Sequence, residues 1–124
     1  MVVDFWATWC APCWACLGEA QRLADWAATN SLPVSVLAIN TLEKFATEQE
    51  RNTRVAELFK ARGLTLPVLL DTNGAVLRSF GSPGLPSSVV ISPAGTIVKF
   101  HQGLEPQLSD RLKTEVNQAL KSAE

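Results

Sequence analysis

Apolar and polar positions along the chain switch repeatedly between two periods. Val2 to Trp6 (VVDFW) is an apolar, β-rich run broken only by Asp4, the pattern of a buried strand. From about Cys13 to Thr29 the spacing turns helical. Cys13, Leu17, Ala20, Leu23, Ala24 and Ala27 share one stripe, with Gln21, Arg22 and Asp25 on the other side. Pro12 suits the first turn of that helix, and NSLP ends it. VSVLAIN reads as a second buried strand. A strand, a helix and a strand this close together imply a parallel pair with a right-handed crossover.

TLEKFATEQERN is polar and predicts a loop before a helix over roughly Glu48 to Ala61, with Gly63 as its C-cap. LPVLLD predicts a third strand, and AVLRSFG a short helix or an irregular segment. SPGLP is dense in Pro and Gly, hence a shaped loop. SSVVIS, the turn PAG and TIVKFHQG predict an antiparallel hairpin. Leu108, Leu112, Val116 and Leu120 recur every fourth residue, giving a closing amphipathic helix. Alternating strands and helices with a terminal hairpin make a three-layer α/β domain with a central mixed sheet.

Length and composition narrow the function classes. The 124 residues suit one domain with a sizeable core, and the 47% hydrophobic and 19% charged content is ordinary for a globular chain. The formal net charge of −1 offers no basic field for nucleic acid or an anionic membrane surface. No apolar run is long enough to span a bilayer. MVVDFW enters a strand at once and has no signal-peptide pattern. The expectation is a leader cut away and a Met added.

The candidate chemistry lies in WCAPCWAC, where Cys10, Cys13 and Cys16 form two overlapping CxxC spacings. All three cysteines lie too close together to staple distant parts of a fold. Cys10 falls at or just before the first turn of the helix and Cys13 one turn in, within disulfide reach. The helix N-terminus favours a thiolate there. Cys10, at the exposed end, is the natural nucleophile. Cys13 lies on the apolar stripe, more buried and less ionised. That asymmetry suits disulfide exchange, in which Cys10 attacks and Cys13 resolves. The plainer alternative is a structural pair. Cys16 falls on the stripe with Ala20, Leu23 and Ala27, as a small buried apolar side chain would. A metal site is the rival: the cluster offers three thiolates, but a closed zinc or iron–sulfur site usually needs four. The single histidine, His101, sits on the final strand, where a lone His is usually half-exposed. The expectation is therefore no metal and no cofactor beyond the Cys10–Cys13 disulfide.

VVDFWATWCAPC resembles the active-site segment of the thioredoxin superfamily, and GLPSSVVISPAGTIVKFHQG resembles that family's second half. The resemblance implies that the Leu85–Pro86 bond is cis and that the Leu85 backbone faces the cysteines to pair with a substrate strand. ERNTRVAELFKARGLTLPVLLD is an inserted helix and strand before the cis-proline. With DTNGAVLRSFG, it is similar to the TlpA/ResA-like branch, which includes cytochrome c maturation proteins. The resemblance covers essentially the whole chain. It implies a monomeric thiol–disulfide oxidoreductase that reduces protein disulfides, fed by an upstream dithiol donor. It also implies an extracytoplasmic bacterial setting, held by an N-terminal membrane anchor or exported by a signal, with the cytoplasm as second choice. An earlier strand or hairpin, usual in that branch, is absent from this sequence. Ala11-Pro12 between the cysteines, without a His, implies a potential nearer thioredoxin's, about −270 mV, than the roughly −120 mV of DsbA.

The sequence also departs from that branch. Cys16 and Gly18 stand where Glu and Pro are frequent, and Glu19 projects about 60° away around the helix. Asp4 matches the buried aspartate of thioredoxin and would accept a proton from the resolving thiol. Without the resemblance, an Asp at a strand edge bonded to water is the simpler reading. Trp9 matches the family's aromatic shield. Trp14, off the apolar stripe, is either an apolar docking surface for the partner or an indole lying over a neighbouring loop. Trp6 and Trp26 read as packing residues. A peroxidase of the same fold is a further rival, but its attacking cysteine typically follows a Thr by three residues, and that position is Ala7. A redox-inert binding module fits poorly with both cysteines present.

Overall fold

A computed structural model describes residues 1–122. Its elements are β1 (Val2–Trp6), α1 (Ala11–Thr29), β2 (Val36–Thr41), α2 (Glu48–Ala61), β3 (Val68–Asp71), α3 (Ala75–Ser79), β4 (Ser87–Ile91), β5 (Ile97–Gln102) and α4 (Leu108–Ser122). The five strands lie in the order β3-β2-β1-β4-β5. β1, β2 and β3 run parallel, and β4 is antiparallel to both β1 and β5. This is the mixed sheet the sequence predicts, with α2 and β3 as the inserted helix and strand.

β1 lies at the centre and is buried along its whole length. Strand alternation sends its side chains to two cores. Val2 and Trp6 join Cys10, Cys13, Cys16, Leu17, Leu23 and residues of α2 and α4 in the larger one. Val3 and Phe5 join Ile39, Leu77 and Val89 in the smaller one on the other face. Asp4 shares the face of Val2 and Trp6, so its carboxylate is aimed into the larger core beneath α1.

Local chemistry sets the helix ends. The Thr47 hydroxyl accepts from the Glu50 N–H at 3.1 Å and caps the start of α2. At its end, Gly63 N–H reaches Lys60 O at 3.2 Å and Leu64 N–H reaches Phe59 O at 2.9 Å. That pair of bonds requires the left-handed φ of +67° at Gly63, where a glycine is least strained. The segment left open between helix and irregular chain is the short α3. The buried Asp71 holds it, accepting from Thr41 Oγ1 at 2.9 Å, Leu77 N–H at 3.0 Å and Val76 N–H at 3.1 Å.

Candidate active site

β1 carries the chain to the edge of the sheet, and residues 7–10 turn it into α1. Cys10 is the N-cap residue of α1, with extended backbone (φ −91°, ψ 99°), and its carbonyl accepts from Cys13 N–H at 3.1 Å. Ala11 and Pro12 fill the first turn. Pro12 has no N–H to offer, and none is needed there. This change from extended to helical backbone within one residue brings Cys10 and Cys13 together in a disulfide, with Cα atoms 5.3 Å apart. No acidic residue lies in the first turn to oppose a thiolate at the helix N-terminus.

One expectation needs correction. Cys10 is not exposed: it is 5% accessible, against 0% for Cys13. The predicted asymmetry keeps its sign and loses most of its size. The reason is that Cys10, as a half-helical cap, still packs into the larger core along with the residues of α1.

Asp4 is 1% accessible, and neither carboxylate oxygen has a hydrogen-bond partner among the described residues. It therefore lies inside the sheet and not at a strand edge. Its cross-strand neighbours are Ala38 on β2 and Ser88 on β4. Burial without partners pushes its carboxyl well above the usual carboxylate range. Cys16 is buried and carries a free thiol. Burial first, and then the charges of Asp4, Glu19 and Glu105, push that thiol up to about 12. Glu19 itself pairs with Arg22 at 2.9 Å and accepts from Ser109 N–H at 3.3 Å, tying α1 to the start of α4.

The indoles divide by environment. Trp6 is fully buried. Trp9 is 60% exposed, and its N–H donates to Leu42 O at 2.9 Å. Trp14 is half-buried. It lies edge-on to Trp6 with centroids 5.1 Å apart, beneath the Arg62 guanidinium at 4.2 Å, and its N–H donates to Thr8 O at 3.2 Å. Its ring packs against Trp6 of β1 and Phe59 of α2, and part of it stays accessible. The Leu85–Pro86 bond is cis. Leu85 is half-buried and packs against both cores, beside the cluster that contains the disulfide.

His101 departs from the sequence expectation. It is 7% accessible rather than half-exposed, because Glu115 of α4 and Glu105 of the segment before α4 both reach its ring. Nδ1 lies 2.9 Å from Glu105 Oε2, and Nε2 lies 2.7 Å from Glu115 Oε1. Among the described residues, no group of three or more His, Cys, Asp or Glu is arranged to hold a metal ion.

Sequence reasoning missed Glu43. Its carboxylate accepts from Thr8 N–H, Thr8 Oγ1 and Asn40 Nδ2, each at 2.7 Å. A polar loop residue 35 positions from its partner leaves no local signal. The Asn40 to Glu43 spacing at the end of a strand is the one cue present.

Comparison with known proteins gives this geometry a lineage. The profile of the AhpC/TSA family matches residues 1–100. The sporulation thiol-disulfide oxidoreductase A of Bacillus subtilis (strain 168) is 31% identical over 113 residues, which is 90% of this chain and 63% of that protein. The thiol-disulfide oxidoreductase ResA of the same organism is 31% identical over 102 residues, 82% of this chain and 51% of that protein. The chain thus spans between half and two-thirds of the length of these curated relatives. Among solved structures, a putative thiol:disulfide interchange protein DsbE from Chlorobium tepidum superposes with a TM-score of 0.75 at 27% identity, covering 96% of this chain and 78% of that one. The fold is thioredoxin-like, and the chain belongs to the AhpC/TSA family.

Proposed function

We propose that this chain is a thiol–disulfide oxidoreductase that reduces protein disulfides through Cys10 and Cys13. The observation that carries the reading is the Cys10–Cys13 disulfide straddling the N-terminus of α1. The reduced Cys10 thiolate attacks one sulfur of a substrate disulfide. The substrate S–S bond breaks, one substrate thiolate leaves, and a mixed disulfide forms. Cys13 then attacks Cys10 Sγ, releasing the second substrate thiolate and closing the disulfide seen here. The Asp4 carboxylate, on the face of β1 that Val2 and Trp6 turn toward the core holding Cys13, takes the Cys13 thiol proton in that second step. The Leu85 backbone, before cis-Pro86, offers an edge on which an extended substrate segment can pair.

The chain needs no cofactor in this scheme. A separate dithiol protein reduces the Cys10–Cys13 disulfide after each turnover. We place the reaction outside a bacterial cytoplasm, with attachment through a segment N-terminal to Met1, on the strength of the TlpA/ResA-like resemblance. No described helix is long and apolar enough to cross a membrane. The test is reduction of insulin by the protein with a small dithiol as donor. The reading expects turnover above the donor alone, abolished by Cys10→Ala. A rate no higher than the donor alone contradicts it.

A further inference from the structure

We propose that Glu43 is a positioning residue for Cys10, fixing the turn from which the thiolate attacks; this rests on the exchange reading above. Thr8 stands two residues before Cys10, and Cys10 N–H closes the turn onto Ala7 O at 3.1 Å. Every polar group of Thr8 is engaged. Its N–H and hydroxyl both donate to the Glu43 carboxylate at 2.7 Å, and its carbonyl accepts from the Trp14 indole at 3.2 Å. The next residue is held from the same loop, with Trp9 Nε1 on Leu42 O at 2.9 Å.

The carboxylate is itself oriented. Asn40 donates to Glu43 Oε2 at 2.7 Å, and Asn40 is 1% accessible at the end of β2, in register with the buried Trp6 of β1. Leu42, between Asn40 and Glu43, adopts a left-handed φ of 56°, which swings the loop back over the turn. A non-glycine residue rarely holds that conformation without support from its surroundings. The grip therefore runs from the two central strands, through Asn40 and Glu43, to Thr8 and so to Cys10. The same carboxylate puts a negative charge beside a turn whose cysteine must ionise, so it opposes the thiolate while it places it.

The test uses the reduced protein in a Cys13→Ala background, so that attack stops at the mixed disulfide, with oxidised glutathione as probe. Cys10 Sγ bonds to one glutathione sulfur, the glutathione S–S bond breaks, and glutathione thiolate leaves. The rate is followed against pH to its high-pH plateau, where Cys10 is fully ionised. Glu43→Ala is expected to lower the plateau about 10-fold, since a small misplacement of a reacting group has effects of that order or more. Glu43→Gln can keep all three hydrogen bonds: its oxygen takes the place of Oε2, and its amide N–H donates to the Thr8 hydroxyl. It is expected to recover most of the lost plateau. Because the charge is gone, the midpoint of its profile moves to lower pH. The midpoint reports the charge alone; the plateau, lost with alanine and recovered with glutamine, reports the positioning. The proposal fails if Glu43→Ala keeps the parent plateau, or if Glu43→Gln is as slow as Glu43→Ala. Should Glu43→Ala not fold, Thr8→Val removes the hydroxyl bond alone; a lowered plateau supports the proposal and an unchanged one overturns it. Glutathione attack by the parent without insulin reduction by the native protein would sink the protein-reductase reading and leave this test intact.

Discussion

His101 Nε2 lies 2.7 Å from Glu115 Oε1, tying β5 to α4, while Nδ1 of the same ring faces Glu105 at 2.9 Å. Both ring nitrogens face carboxylates, so the doubly protonated imidazolium fits the site best. Burial alone would lower the His101 pKa. The hydrogen bonds and charges of Glu115 and Glu105 outweigh it, and the net shift is upward.

The linkage gives the first prediction. A raised folded-state pKa contributes stability that is full below the unfolded value, about 6.5, and is lost as pH rises through the folded value. Replacing His101 by Gln should therefore lower unfolding stability at pH near 6 by about 2 kcal/mol, and by less at higher pH. Urea unfolding at several pH values measures this. A loss that grows with pH contradicts it.

Asp4 gives the second. Its pKa is raised on folding, so the native state loses stability as pH rises from the unfolded value, about 3.9, through the folded one. Asp4→Asn removes that penalty. It should stabilise the protein above that window, on the order of 1–3 kcal/mol, while slowing resolution of the mixed disulfide by Cys13. A resolution rate unchanged at every pH removes Asp4 from the proton transfer.

The third concerns the redox potential. No His stands between Cys10 and Cys13 to stabilise the thiolate. Titration against glutathione should place the couple near thioredoxin's value of about −270 mV. A potential above roughly −195 mV, midway between thioredoxin and DsbA, contradicts a reductant.

Cys16 supplies the fourth. With its thiol pushed up to about 12 and no accessible surface, it should resist alkylation in the folded protein at pH near 8. Cys16→Ala should leave disulfide exchange in place at a cost of about 1 kcal/mol in packing. Mass mapping of the oxidised protein should find Cys10–Cys13 alone. A Cys13–Cys16 bridge would show that the third thiol is redox-active.

What was legible in the sequence, and what was not, follows from the range of the interactions. The β1 run, the α1 stripe and the CxxC spacing are local patterns, and the backbone follows them closely. α1 begins at Ala11, two residues before its apolar stripe does, because Pro12 is favourable in a first turn and offers no periodic signal. The sequence places Cys10 at the exposed end of the helix, because helix position alone says nothing of what packs over a cap. His101 looked half-exposed because Glu115 approaches from 14 residues away. Glu43 was silent for the same reason: its partner, Thr8, is close only once β1 and β2 are paired.

The central claim is that Cys10 attacks and Cys13 resolves, and adduct mapping tests it most directly. The two single variants, Cys13→Ala and Cys10→Ala, are reduced, incubated with oxidised insulin and quenched with acid, and their adducts are mapped by mass spectrometry. The account predicts a stable mixed disulfide on Cys10 of the Cys13→Ala protein and little or none on Cys13 of the Cys10→Ala protein. An adduct mainly on Cys13, or none on either, would contradict it.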